Sequence, residues 1–491
     1  MSTIEFVDQT LRDGIGSLWG HRVNSEMIAP IAKMMDESGY AAIDLPVTAV
    51  HFPMFVRYFG ADPWEEVDRI LAFFPRAKRR IPLRAKSVQF SLVADAVVEL
   101  WIERICAHGI NSFWLQDVMY NIGEMARVVP VAKAQGAEVM GAIMYGLSPY
   151  HTDAYFADKA RELAAIAGID GIYIEDTAGV LTPDRAATLL PAILVEVGPL
   201  PVELHVHNTT GLAPLVYLEA VKHGIRILHT SSSTLANGSS LPSTEQTVAN
   251  IERLGYECPL KKEYFEPIAR HLRLVAERQG YATGVPAEYD TAVYVHQLPG
   301  GMMGSLERQL GELGVEEPSA SLQREIGRVR ADLGFPIMAT PISQFVGTQA
   351  VLNAVSGSRY SVVPDEVIRY VLGHYGTPAG PIADEVREKV LSTRRARELA
   401  TWQQEQLSRR ELRSRMGAGI SDDELVRRLL VTGGDHRSSG RLQGSSDPRR
   451  ASVIDPRLLA EVLDRPSIQH FHFASRDCSL SCSRALSSAA V

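Results

Sequence analysis

The stretch VELHVHNTTG at residues 202–211 decides the fold of this chain. Its apolar and β-branched first half predicts a strand over Val202–His205, and the polar residues and glycine that follow predict a turn. Side chains two positions apart on a strand point to the same face, so His205 and His207 can share one cation. The pair could also be two polar residues that simply end a strand.

Seven other short apolar runs resemble this one, and a segment of helical length follows each of them. The eight predicted strands are Ile4–Asp8, Ala41–Leu45, Ile81–Arg84, Ser112–Leu115, Glu138–Met144, Gly171–Ile174, Val202–His205 and Ile225–Thr230. A strand–helix alternation repeated eight times predicts an α/β fold, a TIM (β/α)8 barrel, with an open doubly wound sheet as the alternative. We favour the barrel because polar residues end nearly every strand, where barrel enzymes place their chemistry.

Composition divides the 491 residues into three parts. The alternation fills residues 1–258, residues 259–432 indicate a mostly α-helical second domain, and residues 433–491 begin rich in Ser, Gly and Arg, which is typical of a disordered tail. In the second part, the arginines of residues 394–415 predict one polar helix, and Ser421 predicts the N-cap of another.

The bulk properties of the chain exclude several classes of protein. Hydrophobic residues make up 45% and charged residues 22%, and the formal net charge of -8 disfavours a nucleic-acid partner. No apolar run is long enough to cross a membrane. Four cysteines are few for this length. We therefore expect a cytoplasmic protein without a disulfide framework.

A second segment, DQTLRDG at residues 8–14, completes a candidate metal site. In a closed barrel only the eighth strand separates the first from the seventh, so Asp13 can reach the same cation as His205 and His207. A carboxylate with two imidazoles suits a borderline divalent metal such as Zn²⁺ or Mn²⁺. The sequence therefore predicts a metal at the C-terminal mouth of the barrel.

Three further residues near the strand ends are candidates for contacting a substrate. Arg12 could stabilise a developing enolate oxygen, because a guanidinium stays charged at all relevant pH values. Arg84 could orient a carboxylate with its fork of donors, or could form a surface ion pair. Tyr145 follows the fifth strand and could line the substrate pocket.

These segments resemble the DRE-TIM metallolyase group, which includes 3-hydroxy-3-methylglutaryl-CoA lyase, isopropylmalate synthase and the carboxyltransferases. HQLPGGM at residues 296–302 and TPISQFVGTQAV at residues 340–351 are similar to the region after the barrel in pyruvate carboxylase and the oxaloacetate decarboxylase alpha subunit. SPYHT at residues 148–152 and DTAGVLTP at residues 176–183 also fit. The resemblance covers about residues 3–435.

The resemblance implies a metal-dependent carboxyltransferase that moves CO₂ between biotin and a small 2-oxo acid such as pyruvate or oxaloacetate, through an enolate. It implies Zn²⁺, Mn²⁺ or Co²⁺ as the metal. Ser239 matches the position of a hydroxyl that shuttles a proton near biotin, although a loop serine could also cap a helix. Asp44 matches an acidic, substrate-binding position of the mouth. The chain has no Ala-Met-Lys-Met biotin-acceptor sequence, so we expect a separate biotin carrier protein as partner, and a homodimer.

Three departures from the family pattern bear on this interpretation. The family has a lysine, carboxylated and bridging to the metal, where this chain has Glu175, which could be a shorter oxygen ligand. A glutamine that contacts the substrate is Gly16 here, which would open the pocket to a different or larger oxo acid. Arg84 is followed by Ala85 and Lys86 instead of glycine and a small or amide residue.

Two other functions stay open on the sequence. A biotin-independent 2-oxo acid decarboxylase or C–C lyase would use the same enolate without a carrier, and both Glu175 and Gly16 favour it. A catalytically inactive scaffold could keep the helical domain for binding a partner. The presence of Arg12 and Asp13 together with the two histidines argues against the scaffold.

Overall fold

The computed structural model describes residues 2–300, 302, 320–431, 465, 468, 470–474 and 479–484. In this part of the chain eight parallel strands close into a barrel in chain order. The strands are β1 (Glu5–Asp8), β2 (Ala42–Asp44), β3 (Arg79–Arg84), β4 (Ser112–Gln116), β5 (Glu138–Met144), β6 (Gly171–Asp176), β7 (Val202–Val206) and β8 (Ile227–Thr230). Strand β1 pairs with β8, with Asp8 opposite Thr230, which closes the cylinder. The expected TIM barrel is confirmed.

Helices connect the strands and form the outer layer of the barrel. They are Ile15–Trp19, Ser25–Glu37, His51–Phe59, Pro63–Ala72, Asp95–His108, Ile122–Ala134, Asp153–Ala164, Pro183–Val197, Ala213–Lys222 and Thr244–Arg253. Several begin at a residue whose side chain accepts a hydrogen bond from the first turn, as Thr152, Thr182 and Ser243 do. Such caps satisfy backbone N–H groups that the helix itself leaves unpaired.

The inside of the barrel is unusually polar. Most barrels fill this space with branched aliphatic side chains, but here Arg80, Glu203 and His229 lie buried there. The rings of Trp114 and Tyr173 stack across the interior, with centroids 4.8 Å apart and planes 4° from parallel. A polar interior of this kind allows hydrogen bonds to run from the body of the barrel up to its mouth.

A second group of helices follows the barrel. It comprises Phe265–Gln279, Ala292–His296, Ala320–Asp332, Ile342–Ser356, Asp365–Val371, Asp384–Leu391, Arg394–Ala400, Arg409–Met416 and Asp422–Val431. A separate hydrophobic core lies within this group, built on residues such as Ile326, Phe345 and Ile368. We call this core and the helices around it, between residues 298 and 400, the second unit.

The ends of the helical region return to the barrel. Leu272 before the second unit and Leu412 and Leu425 after it belong to the core of the barrel. The second core therefore occupies less of the chain than the helical domain expected over residues 259–432. The carbonyl oxygen of Asp423 also accepts a hydrogen bond from Trp64 Nε1 at 2.8 Å, which holds the last helix against the barrel.

Two expectations for the later part of the chain have different outcomes. The prediction of one arginine-rich helix over residues 394–415 is wrong, because residues 401–408 separate two shorter helices. The N-cap at Ser421 is confirmed, since its hydroxyl oxygen accepts a hydrogen bond from the backbone N–H of Glu424 at 3.1 Å.

The expected disordered tail stays a prediction for most of its length, but most of the few residues that the structure describes there form two strands. Strands β10 (His470–Ala474) and β11 (Ser479–Arg484) pair antiparallel, and β11 pairs in turn with β9 (Val362–Pro364) of the second unit. The serine-, glycine- and arginine-rich start of the tail lies outside the described residues. No helix of the described residues is long and apolar enough to cross a membrane.

Candidate metal centre

A π-helical turn, Thr10–Gly14, places Arg12 and Asp13 directly after β1. The backbone N–H of Gly14 donates to the carbonyl of Gln9, five residues back, at 2.9 Å. Such turns are rare and frequently occur at functional sites. Because β1 runs up to the C-terminal end of the barrel, the turn sets both side chains at the mouth.

Asp13, His205 and His207 form one cluster at this mouth, and their ligand atoms all lie within 4.8 Å of one another. Asp13 Oδ2 lies 3.0 Å from Nε2 of His205 and 3.1 Å from Nε2 of His207. All three residues are buried. The structure thus brings together the three residues that the sequence singled out as metal ligands.

Partners behind the two imidazoles aim their Nε2 atoms at the carboxylate. Nδ1 of His207 donates to the backbone carbonyl of Ser239 at 2.7 Å, and Nδ1 of His205 lies 2.7 Å from the hydroxyl of Tyr173. A neutral imidazole that carries its proton on Nδ1 presents a lone pair on Nε2. Two such lone pairs facing a carboxylate fit a divalent cation, and this outer support is usual for metal-binding histidines.

The pKa shifts in the cluster favour an ionised Asp13 and a neutral His205. Burial acts to raise the pKa of Asp13, but the charges of Arg12 and His207 and the hydrogen bonds from the histidines outweigh it, and hold that pKa well below its usual range. Burial lowers the pKa of His205 well below its usual value, against the opposing effect of Asp13. Burial acts to lower the pKa of His207, but the charge of Asp13 and the hydrogen bond with it outweigh burial and raise that pKa, so without a metal this imidazole favours a proton on Nε2. A carboxylate and neutral imidazoles are the forms that bind metal ions, so a divalent cation would take the place of that proton.

Arg12 lies beside the cluster and is held from several directions. Its Nη2 donates to Gln9 Oε1 at 2.7 Å and lies 3.4 Å from carboxylate oxygens of both Asp13 and Asp44. Its guanidinium lies over the Trp114 ring, 5.1 Å from the centroid. Its buried Nε has no hydrogen-bond partner among the described residues. The guanidinium therefore keeps one N–H group that could donate a hydrogen bond to a substrate oxygen.

A chain of buried hydrogen bonds supports Arg12 from inside the barrel. The amide of Gln9 donates to Nδ1 of His229 at 2.8 Å, and Nε2 of His229 donates to Glu203 at 3.0 Å. Glu203 in turn accepts two hydrogen bonds from Arg80, at 2.5 and 3.1 Å. We call these four residues the interior chain. Since Gln9 uses its nitrogen on His229, its oxygen must face Arg12.

Glu175 lies at the end of β6, opposite His205 of β7. Its Oε2 is buried and has no hydrogen-bond partner in the described part of the chain. Burial raises its pKa to about 7, with Arg12 lowering and Asp13 raising it. The residue is outside the tight three-residue cluster, so its role as a fourth ligand stays a prediction.

Arg84 ends β3 and lines an open cleft between the barrel mouth and the second unit. Its Nη1 donates to the carbonyl of Gln89 at 3.3 Å, and its Nε has no partner among the residues described. Burial lowers its pKa to about 10, which still leaves it a cation at neutral pH. The cleft is lined by Arg84, Lys86, Gln116 and Met119 of the barrel and by Thr340, Pro341 and Tyr375 of the second unit.

Asp44 and Tyr145, both expected to contact a substrate, lie deeper than the sequence suggested. Asp44 is fully buried and accepts a hydrogen bond from Trp114 Nε1 at 2.9 Å, so it positions Arg12 from below. Tyr145 packs against Phe156 of the outer helical layer, with ring centroids 5.3 Å apart. The structure does not bring Tyr145 to the mouth.

Ser239, the expected proton shuttle, lies half-buried in the loop after β8. Its backbone carbonyl orients His207, as described above. A Cβ atom on Gly300 of the second unit would lie 2.5 Å from its Cα. Ser239 is therefore placed between the metal cluster and the second unit, and its hydroxyl role stays a prediction.

The space beside Gly16 is filled by another side chain of this protein. The sequence suggested an open pocket there, but the imidazole of His21 occupies it. A Cβ atom added to Gly16 would lie 2.7 Å from Cε1 of His21. Sequence reasoning missed His21 because nothing in the residues after the first helix indicates that the chain folds back on itself.

A closed parallel barrel with a buried carboxylate and two imidazoles at its mouth defines a TIM-barrel protein with a candidate metal centre. A family model described as HMGL-like matches residues 3–271, and a model described as a conserved carboxylase domain matches residues 293–431. The chain belongs to the HMGL-like family, within its carboxyltransferases.

Two relatives support the same family assignment. The chain is 35% identical over 390 residues to a pyruvate carboxylase subunit of Methanocaldococcus jannaschii, and the match covers 79% of this chain and 68% of that protein. It is 33% identical to the 2-oxoglutarate carboxylase large subunit of Hydrogenobacter thermophilus, over 79% of this chain and 60% of that one.

Solved structures agree on the fold. The carboxyl transferase domain of Rhizobium etli pyruvate carboxylase superposes with a TM-score of 0.78, at 24% identity, and the match covers 88% of this chain and 76% of that one. The expected architecture, a barrel followed by a helical region, is therefore shared with a carboxyltransferase domain.

Proposed function

We propose that this protein is a metal-dependent carboxyltransferase that moves a carboxyl group between a 2-oxo acid and biotin on a separate carrier protein. The observation that carries the proposal is the buried cluster of Asp13, His205 and His207, with Arg12 beside it, at the mouth of the barrel. The relatives named above, one from a pyruvate carboxylase and one from a 2-oxoglutarate carboxylase, support the reaction class.

A divalent metal held by the cluster, Zn²⁺, Mn²⁺ or Co²⁺, would polarise the carbonyl of the oxo acid. The chain supplies the remaining interactions. Arg84 offers free donors to the substrate carboxylate, and Arg12 donates to the oxygen that becomes negative when the C–CO₂ bond breaks and an enolate forms. Arg12 can do this without reorganising, because Gln9 and Asp44 already hold it in place.

Proton transfer to the enolate carbon needs a group at the mouth. We propose the hydroxyl of Ser239 for this step, because the residue lies directly behind His207. Glu175, with a buried and unpartnered oxygen, would complete the metal coordination, directly or through a water. Assembly as a homodimer stays a prediction that sedimentation would test.

A second candidate is a biotin-independent 2-oxo acid decarboxylase or C–C lyase. The observation that favours it is Glu175 at the position where the family has a carboxylated lysine. The same enolate would form, but a proton would take the place of the carboxyl group without transfer to a carrier.

Oxaloacetate decarboxylation tests both candidates. We expect turnover by protein loaded with Zn²⁺, Mn²⁺ or Co²⁺, and a clear increase when free biotin is added. Asp13→Ala and His207→Ala should abolish both turnover and the thermal stabilisation by metal, which amounts to about 2.7 kcal/mol at a metal concentration of 100 Kd. His223→Ala, on the outer layer, serves as the control and should change neither.

The outcomes separate the candidates. Clear metal-dependent turnover that biotin leaves unchanged would favour the biotin-independent enzyme. A protein that gains neither activity nor stability from any of the three metals would contradict both.

A further inference from the structure

The chain folds back sharply after its first helix, Ile15–Trp19. Gly20 and His21 both adopt left-handed backbone conformations, with φ of 61° and 63°. Glycine tolerates this conformation, but for a residue with a side chain it is uncommon, although histidine is among the more frequent exceptions. Backbone strain of this kind clusters at functional sites, where the surrounding structure holds it in place.

The fold-back lays the imidazole of His21 over Gly16. A Cβ atom on Gly16 would lie 2.7 Å from Cε1, 3.2 Å from Nδ1 and 3.3 Å from Nε2 of that ring. No real Cβ atom approaches a ring carbon this closely. A side chain at position 16 would therefore displace the imidazole of His21 from the place it occupies.

The imidazole lies near enough to Arg12, Asp13 and Arg84 for their charges to act on it, and it has an unused polar atom. Nδ1 of His21 is buried without a hydrogen-bond partner among the described residues. The ring packs edge-on against His51, with centroids 5.0 Å apart. Burial lowers its pKa to about 4, with Arg12 lowering, Asp13 raising and Arg84 lowering it. A neutral imidazole offers one donor and one acceptor.

We propose that His21 is a specificity-determining residue that hydrogen-bonds the 2-oxo acid at the mouth, and that Gly16 is required to leave room for it. This inference rests on the proposed function. Arg84 and Arg12 are assigned to the carboxylate and the carbonyl oxygen that all 2-oxo acids share. The imidazole is left for a polar group further along the substrate, so the preferred class is a 2-oxo acid longer than pyruvate that carries such a group.

A double-mutant cycle tests the pair by calorimetric binding of 2-oxoglutarate, 2-oxobutyrate and pyruvate to the zinc-loaded protein. His21→Gly removes the ring and keeps a residue suited to the left-handed backbone. We expect it to weaken 2-oxoglutarate binding by about tenfold, the contribution of one hydrogen bond, and pyruvate binding by less than about twofold. Gly16→Ala should give a similar loss, because its Cβ displaces the ring.

The double variant should lose no more than His21→Gly alone, because both changes remove one interaction. His21→Asn should recover part of the affinity, since its amide donates and tolerates the left-handed backbone. Gly123→Ala is the matched control, because no atom of the described residues lies within 4 Å of a Cβ there. Thermal unfolding checks that each variant is folded.

Either of two results would overturn this inference and leave the proposed function standing. One is an unchanged preference among the three acids in His21→Gly. The other is a double variant whose loss of affinity equals the sum of the losses from Gly16→Ala and His21→Gly. Failure of the zinc-loaded parent protein to bind any of the three acids would overturn the proposed function, and this inference with it.

Discussion

The Arg12 guanidinium has partners on several sides before any substrate arrives. Gln9 accepts from Nη2, the carboxylates of Asp13 and Asp44 lie 3.4 Å away, and the Trp114 ring lies beneath it. A planar fork can serve several partners at once, whereas an ammonium group is a single point charge on a flexible stem. The geometry of this residue, and not its charge alone, should therefore determine the rate.

Replacing Arg12 by lysine tests this. We expect Arg12→Lys to lower kcat for oxaloacetate decarboxylation by about 10²–10³-fold, the usual loss when one preorganised donor to a developing oxyanion is removed. KM should change little, because Arg84 still holds the substrate carboxylate. Arg161→Lys, at an exposed position, is the control. Steady-state kinetics showing an unchanged kcat for Arg12→Lys would contradict the role assigned here.

Alternation along the strands explains which site residues the sequence could reveal. His205 and His207 share a face of β7, and the same rule places Glu203 on that face, although sequence reasoning did not use it. The same alternation explains why the side chain of Tyr145 points to the outer helical layer. Glu138 of β5 reaches the interior, where it accepts from Arg80 at 3.0 Å, so a residue seven positions later points outward.

The strands could be predicted from the sequence, but the contacts between distant parts of the chain could not. All eight strands were predicted within a few residues, because apolar runs and turns are local signals. Contacts between residues far apart in the chain leave no such signal. Examples are the pair of Gln9 and His229, 220 positions apart, and the return of the helix Asp422–Val431 to the barrel.

At the scale of elements, the interior chain ties β3, β7 and β8 together through the pair of Arg80 and Glu203. Burial acts to raise the pKa of Glu203, but the charge of Arg80 and the hydrogen bond from His229 outweigh it, and the pKa falls to about 2. A carboxyl whose pKa is lower in the folded state stabilises the fold above its ordinary pKa, near 4.5. That stabilisation is lost as the pH falls from there towards 2.

Glu203→Gln should therefore change both the size and the pH dependence of stability. At pH 7 we expect a loss of about 3–5 kcal/mol in the free energy of unfolding, since Arg80 keeps only Glu138 as a charged partner among the described residues. Between pH 4.5 and 2 the variant should lose less stability than the parent. Urea unfolding across this range measures both. If the free energy of unfolding falls equally with pH in both proteins, Glu203 is not the source of the pH dependence.

At the scale of the whole molecule, the helical region after the barrel holds the loops of the barrel mouth. Gln297 clamps the backbone of Leu147, accepting from its N–H at 3.0 Å and donating to its carbonyl at 2.7 Å. Arg330 donates to the same carbonyl at 3.0 Å. The turn that follows Gln297 brings Gly300 against Ser239. The helical region is thus part of the support of the metal cluster as well as a separate core.

The contact between Gly300 and Ser239 predicts that a change in the second unit alters metal affinity. A Cβ atom on Gly300 would lie 2.6 Å from the Ser239 carbonyl oxygen, the same oxygen that accepts from His207 Nδ1. Gly300→Ala must therefore displace backbone behind a metal ligand, and loss of such outer support weakens metal binding by about 10–100-fold. We expect zinc titrations to show this loss, while Gly347→Ala, whose Cβ meets only Met302, at 3.9 Å, among the residues that the structure describes, binds zinc like the parent. Equal zinc affinity in the two variants would mean that the second unit contributes nothing to the metal centre.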